Sequence, residues 1–178
     1  MLILKRVLKF FDSFLDRVSA LIGALILSQF PQYYGQYLQR LGGHLDEARA
    51  TVSRYENAAA ELGLTLEEYI QHHLDSTSEV FVSSGLVIQA VVERYHSLFH
   101  SFNALIEANI MNRWFIFLRE AELDIMRNTW QNFVPGIPTT IEGITYALLG
   151  LLVGWGLYVA IKMLIALPMR LMAKKQEK

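Results

Sequence analysis

Two blocks of apolar residues frame the chain, and a long amphipathic stretch lies between them. The second block, residues 139–166, carries one charge near each end, Glu142 and Lys162. A bilayer core about 30 Å thick needs about 20 predominantly apolar residues in a helix. The pattern therefore predicts a transmembrane helix over residues 139–167, which Pro168 ends.

The first apolar block is shorter, because its core covers only the ten residues 18–27. An aromatic girdle of tyrosines follows it, as at membrane interfaces. We predict a transmembrane helix over residues 11–34, preceded by an amphipathic start over residues 1–10 that lies on the membrane surface. A cleaved signal peptide is the rival interpretation, but the small residues of a cleavage site are absent after the block.

The distribution of charge predicts the orientation in the membrane. Residues 31–138 contain seven arginines, no lysine and thirteen acidic residues, whereas every lysine lies in the flanking segments. Cytoplasmic segments next to transmembrane helices are enriched in lysine and arginine. Both termini are therefore expected in the cytoplasm, including a basic tail over residues 168–178. The net charge of −1 argues against a nucleic-acid partner.

The middle segment, residues 35–134, is expected to be helical, since no proline occurs between Pro31 and Pro135. A first helix is predicted to end before Gly63, with a kink or a break at the Gly42–Gly43 pair. The later elements are a capping box of Thr65 and Glu68, a helix over residues 66–74, and a helix from Glu79 to about Phe133 with or without a break near Asn109–Asn112. The predicted fold class is an all-α membrane protein, in which two transmembrane helices flank an antiparallel helical hairpin or bundle.

Small residues recur at four-residue spacing in both apolar blocks, and this spacing lets helix backbones approach closely. We predict a helix-packing interface that joins the two spans, joins copies of the chain, or does both. The residues predicted to form it are Ala20, Ala24, Ser28, Gly143, Ala147, Gly150 and Gly154.

Three residues of the middle segment have metal-ligating spacing. Glu93 and His96 are three residues apart, and His100 follows after four, so all three share one helix face. Helical bundles with paired metals use such a Glu-x-x-His spacing. The competing interpretation is a set of solvated or hydrogen-bonded helix histidines, and a pH-sensing role is a third.

Two further sets of charges have a structural and a functional interpretation. Arg113, Arg119 and Arg127 alternate with acidic residues, which is typical of a solvated face but also suits contacts with lipid phosphates or a partner's carboxylates. Glu142 opens the second span, where an ionisable group is a functional candidate. Its position in a first helical turn equally indicates a helix cap.

The run Gln39-Arg40-Leu41-Gly42-Gly43-His44-Leu45-Asp46-Glu47-Ala48 follows the first span. With this run, the chain resembles a family of small proteobacterial inner-membrane proteins of unknown function, along nearly its whole length. The resemblance implies a bacterial inner membrane and a periplasmic middle segment. It implies no activity.

No nucleophile motif, phosphate-binding glycine loop or zinc motif occurs, so an enzyme is not expected and no cofactor is predicted. We expect a non-enzymatic scaffold or accessory subunit that contacts the lipid bilayer and acts through self-association or a membrane-protein partner. The alternative is a periplasmic ligand- or metal-binding module built on Glu93, His96 and His100. An oligomeric channel is the second alternative, although the spans lack the polar stripe of a water-filled pore.

Overall fold

The computed structural model describes residues 2–176, and these residues form helices without any strand. Side chains are described for residues 6, 7 and 9–165, so all those of the predicted basic tail and part of those of the predicted amphipathic start lie outside this range. Seven helices follow one another: α1 (Leu2–Ser28), α2 (Phe30–Glu61), α3 (Leu66–Leu74), α4 (Glu79–Ile106), α5 (Arg113–Glu120), α6 (Leu123–Gln131) and α7 (Ile141–Gln176).

The chain divides into two compact units. The first unit contains the described residues up to Tyr34 and those from Val134 onwards, and therefore α1, the start of α2, and α7. The second unit is Gly35–Phe133, which contains the rest of α2 and helices α3 to α6.

In the first unit, α1 and α7 run antiparallel. Near one end, Asp12 of α1 contacts Lys162 of α7. In the middle Gly23 lies against Gly150, and beyond the end of α1 the ring of Phe30 lies 5.4 Å from that of Tyr146. Residue numbers thus rise along one helix as they fall along the other.

The helix predicted over residues 11–34 differs from the observed helices at both ends. α1 already begins at Leu2, and it ends at Ser28, two residues before α2 begins. Pro31 explains the interruption, because a proline has no N–H to donate to the carbonyl four residues earlier and its ring clashes with that carbonyl. The intervening Gln29 is held by its side chain, which bonds to the peptide groups of Gly136.

One segment of the described helices, Ile141–Ile165, is long and apolar enough to cross a membrane by length and composition, with a mean hydropathy of 2.0. α1 does not qualify by itself, since its last eighteen residues include Asp12, Asp16 and Arg17. Of the two predicted transmembrane helices, length and composition therefore support only the second.

In the second unit, α2 and α4 also run antiparallel. Gly42 of α2 faces the ring of Phe102 of α4. Further along α2, Thr51 lines a cleft together with Val87, which is nearer the start of α4. The core of the unit takes side chains from α2, α4, α5 and α6. The buried apolar residues are Tyr37, Leu41, Leu45, Val52, Ala59, Ile88, Leu98, Leu105, Ala108, Phe117 and Ile125.

Helix α2 does not break at Gly42–Gly43, since it continues through both glycines. A Cβ atom on Gly42 would lie 3.3 Å from the ring of Phe102, whereas nothing lies within 4 Å of the Gly43 position. Gly42 therefore makes room for a packed aromatic ring. Tertiary packing here outweighs the low helix propensity of glycine.

The predicted start and stop signals around α3 are confirmed. Gly63 has φ +72°, the left-handed conformation expected of a glycine that ends a helix. Thr65 accepts a hydrogen bond from the Glu68 amide at 3.2 Å, and the Glu68 carboxylate accepts one from the Thr65 amide at 2.8 Å. This capping box satisfies backbone donors that the first helical turn leaves without a partner.

The long helix predicted from Glu79 to Phe133 is divided into α4, α5 and α6. The first break is at Asn109, whose side-chain oxygen accepts hydrogen bonds from the amides of Met111 and Asn112. This local turn competes with helical hydrogen bonding. The second break precedes α6, where the amide of Glu122 donates to the hydroxyl of Tyr37 at 3.0 Å.

We expect the Glu68→Ala variant to lose order in the first turn of α3, because the capping box loses one of its two hydrogen bonds. Glu67→Ala is the matched control, since it removes a neighbouring first-turn carboxylate that takes no part in the box. Amide hydrogen exchange measures the effect. Equal acceleration of exchange in both variants would show that general helix charge, and not the box, stabilises the turn.

Candidate functional site: a close-packed helix pair with an apolar exterior

The backbones of α1 and α7 touch along a seam of small residues. A Cβ atom on Gly23 would overlap the carbonyl oxygen of Gly150 and lie 2.9 Å from the Cα of Gly154. A Cβ atom on Gly150 would lie 2.7 Å from the Cα of Ala24. On the other flank, a Cβ on Gly154 would meet the backbone of Ser19. Because backbone atoms cannot turn aside as a flexible side chain can, this register requires glycine at all three positions.

The structure brings together four of the seven residues predicted to form the packing interface. Ala20, Ala24, Gly150 and Gly154 lie at the seam. The other three lie along the same pair but not at the closest approach. Ser28 is buried and donates its hydroxyl to the carbonyl of Leu25, Gly143 lies against Pro138 and Thr140, and Ala147 is half-buried.

Sequence reasoning missed Gly23, which makes the closest approach of all. The search for residues four apart selected Ala20, Ala24 and Ser28 and passed over Gly23, which does not belong to that series. The available signal was that Gly23 is the only glycine in α1. A lone glycine inside an apolar helix costs helix propensity, and it therefore points to a close contact.

The outer surface of the helix pair is formed by large apolar side chains. In soluble proteins such side chains are among those most often buried. Here the arrangement is the reverse, since only 11% of the most apolar window of α7 is buried. Exposed residues include Phe10, Phe11, Phe14, Leu15, Leu21, Ile22, Leu25 and Ile26 on α1, and Leu148, Leu149, Leu152, Val153, Trp155, Leu157 and Ile161 on α7.

Two charges near one end of the pair neutralise each other. The ammonium group of Lys162 lies 2.6 Å from Oδ1 of Asp12. The hydroxyl of Tyr158 donates to the same oxygen at 2.6 Å. Asp12 belongs to α1 and the other two residues to α7, so the cluster also joins the helices. A paired charge costs much less to place in an apolar environment than a single one.

The opposite end of the pair is closed by an amide contact. The side-chain nitrogen of Gln29 donates to the carbonyl of Gly136 at 3.1 Å, and the amide of Gly136 donates back to the Gln29 oxygen at 3.0 Å. The link satisfies the peptide groups of the segment that leads into α7. Glu142 lies in the first turn of α7, the position expected for a carboxylate that stabilises a helix N-terminus.

The three candidate metal ligands of α4 do not converge. Glu93 accepts a hydrogen bond from Gln89, the ring of His96 lies beside that of Tyr95, and Nε2 of His100 lies 3.9 Å from a Glu120 oxygen. Among the residues whose side chains are described, no group of three or more histidine, aspartate or glutamate side chains is arranged to hold a metal ion.

A cleft of about 400 Å³ lies along the α2–α4 pair in the second unit. Its floor is apolar and is lined by Ala48, Val87, Val91 and Leu98. Its polar lining residues are His44, Glu47, Thr51 and Arg94. The guanidinium group of Arg94 donates two hydrogen bonds to the carboxylate of Glu122, each 2.6 Å long. The cleft therefore contains His44 of the Gly42-Gly43-His44 sequence, whose glycine at position 42 packs against Phe102.

The arginines of the acidic and basic run differ in their surroundings. Arg113 reaches the carbonyl of Ala108 at 3.2 Å, Arg119 pairs with the adjacent Glu120 at 2.7 Å, and Arg127 is exposed. The run is therefore not one uniformly solvated face.

These features define the class of the protein. It is an all-α chain with a helical second unit and an apolar helix pair, α1 and α7, whose backbones are in direct contact. The profile of the family described as "Protein of unknown function (DUF2937)" matches residues 11–171. The chain belongs to this family. Neither the curated proteins nor the solved structures include a match.

We expect Gly150→Leu to destabilise the first unit by about 1–3 kcal/mol, since a larger side chain in a tightly packed contact forces the helices apart. Gly156→Leu is the matched control on the same helix, because nothing lies within 4 Å of a Cβ at that position. Thermal unfolding in detergent measures the difference. If both variants unfold at the same temperature, the seam does not hold the pair together.

Proposed function

We propose that the protein is a non-enzymatic scaffold or accessory subunit of a bacterial inner membrane, acting through self-association or through a membrane-protein partner. The α1–α7 pair is the anchor, both termini are cytoplasmic and the second unit is periplasmic. The observation that carries this proposal is the reversed packing of the pair, with small residues inside and large apolar residues outside. Helices that associate within lipid pack through small residues in this way.

The positions of the polar groups support a membrane-spanning pair. Asp12 of α1 and Gln29, the residue that follows α1, are seventeen residues apart, or about 26 Å along a helix. On α7, Glu142 and Lys162 are twenty residues apart, or about 30 Å. These separations are close to the thickness of a bilayer hydrocarbon core, about 30 Å. The contacts of Asp12 with Lys162 and Tyr158 also compensate for the charge that makes α1 less apolar than α7.

The charge pattern supports the orientation. All lysines lie outside residues 31–138, which contain thirteen acidic residues against seven arginines. Lysine and arginine next to a transmembrane helix favour the cytoplasmic side. The second unit, which is acidic and free of lysine, is thereby proposed to lie on the opposite side.

The scaffold role is supported by the surface of α4. Several large apolar side chains of this helix are more than half exposed, although α2 covers other parts of it. Apolar surface of this kind on a folded unit is characteristic of protein contact sites. The residues concerned are Val80, Phe81, Leu86, Val87 and Ile106.

Cysteine labelling tests the membrane topology, because the natural sequence contains no cysteine. A membrane-impermeant maleimide is applied to intact spheroplasts that express Thr77→Cys or Lys9→Cys, both at exposed positions. We expect label on Thr77→Cys at once, and on Lys9→Cys only after the membrane is permeabilised. Labelling of both variants, or of neither, in intact spheroplasts would contradict the proposed arrangement.

The scaffold role itself is tested by native mass spectrometry of the full chain in mild detergent, with metal analysis on the same sample. We expect a discrete homo-oligomer or a co-purifying membrane protein, without stoichiometric metal. A monomer that carries one or more equivalents of a transition metal would contradict the scaffold and favour a binding module at Glu93, His96 and His100.

A further inference from the structure

Helix α5 has its polar and apolar faces reversed with respect to a surface helix of a soluble protein. Its inner face holds Arg113, Phe117 and Glu120, which are buried or half-buried. Its outer face holds Phe115 and Leu118, whose exposed fractions are 68% and 71%. With 3.6 residues per turn, Trp114, which is 40% exposed, lies on this outer side too. Surface helices normally turn their charged residues outwards and their apolar residues towards the core.

The polar residues of the inner face make contacts within the second unit, so the reversal is part of the fold. Arg113 donates to the carbonyl of Ala108 at 3.2 Å. Glu120 accepts from Arg119 at 2.7 Å and lies 3.9 Å from Nε2 of His100. Phe117 packs edge-on against the ring of Tyr37, with centroids 5.0 Å apart. Rotating α5 to bury its apolar face would break the contacts of Arg113 with Ala108, of Glu120 with His100 and of Phe117 with Tyr37.

Exposed apolar side chains continue along the chain from α5 towards α7. They precede α5 at Met111, and after it they recur in α6, in the segment that follows, and at the first residue of α7. Ile137 in the connecting segment is 87% exposed. The series therefore leads into α7, whose apolar segment Ile141–Ile165 is mostly exposed. Its members after α5 are Leu123, Trp130, Val134, Ile137 and Ile141.

The covalent chain also keeps α5 near the start of the second unit. Phe117 and the Glu122 amide both contact Tyr37, through its ring and its hydroxyl. Tyr37 is three residues after Tyr34, the last residue of the first unit on this helix. Three residues of helix rise only about 5 Å. Tyr37 therefore holds α5 at the first residues of the second unit.

We propose that the outer face of α5, formed by Trp114, Phe115 and Leu118, lies in the interfacial layer of the bilayer that contains the α1–α7 pair. This inference rests on the proposed function of that pair as a membrane anchor. A helix in this position buries its apolar side about 5–10 Å into the boundary between headgroups and acyl chains. Tryptophan is enriched at this depth, and the exposed arginine at the edge of the face, Arg119, suits lipid phosphates.

The chain's three tryptophans provide the test, because one lies on the proposed interfacial face and another in the proposed span. Trp155 is two residues past the midpoint of Ile141–Ile165, and so within about 3 Å of the bilayer centre. Full-length single-tryptophan variants retain Trp114 (Trp130→Phe with Trp155→Phe) or Trp155 (Trp114→Phe with Trp130→Phe). Each is reconstituted in vesicles whose lipids carry bromine either high on the acyl chain or near its terminal methyl.

We expect the fluorescence of Trp114 to be quenched more strongly by bromine high on the chain, and that of Trp155 by bromine near the terminal methyl. Adding Phe115→Asp and Leu118→Asp to the Trp114 variant should remove most of the Trp114 quenching. Val80→Asp, which changes a similarly exposed apolar residue of α4, should leave it unchanged.

The outcomes separate the two proposals. If Trp155 is quenched and Trp114 is not, the anchor stands and the interfacial position of α5 is wrong. A Trp114 that resists both brominated lipids and an aqueous quencher would mean that protein, such as a second copy of the chain, covers the face. If neither tryptophan is quenched by lipid, the anchor itself fails.

Discussion

The contact between the backbones of α1 and α7 determines the character of the whole first unit. Lipid chains are as apolar as leucine, so the hydrophobic effect does not hold two helices together within a bilayer. Association there depends on dispersion contacts, which are weak singly and fall off steeply with distance. Gly23, Gly150 and Gly154 allow the two helices to approach until backbone atoms meet. Because the smallest residues form the contact between the helices, the large apolar residues can face outwards.

The features that sequence predicted well are local ones. The glycine at position 63 and the capping box of Thr65 and Glu68 depend on residues within one helical turn, and both are found as expected. The helical structure of the middle segment was likewise predictable, since a stretch without proline has few residues that interrupt a helix. Such signals need no knowledge of the distant parts of the chain, because the physical cause and the affected backbone are close in sequence.

The features that sequence missed depend on distant contacts. Gly42 was expected to kink or break α2, but the helix continues through it, and the glycine packs against Phe102, which lies sixty residues away in the sequence. The pairing of Asp12 with Lys162 joins residues 150 positions apart, and without it the last eighteen residues of α1 show only an apolar helix with three charges. The orientation of α5 was not predictable either, because its inner face is fixed by Tyr37. For the metal hypothesis, sequence spacing placed Glu93, His96 and His100 on one face, but it could not show whether side chains from other helices would join them.

The amide link between Gln29 and Gly136 has a mechanical consequence for the first unit. Polar contacts join the two ends of the pair: the hydrogen bonds between Gln29 and Gly136 at one end, and the ion pair of Asp12 with Lys162 at the other. A shift of one helix along the other by a single turn would break the polar contacts at both ends. It would also separate Gly23 from Gly150 and Gly154. The pair therefore behaves as a stiff rod of fixed length. If the pair spans a bilayer as proposed, it would respond to a thinner or thicker membrane by changing its tilt.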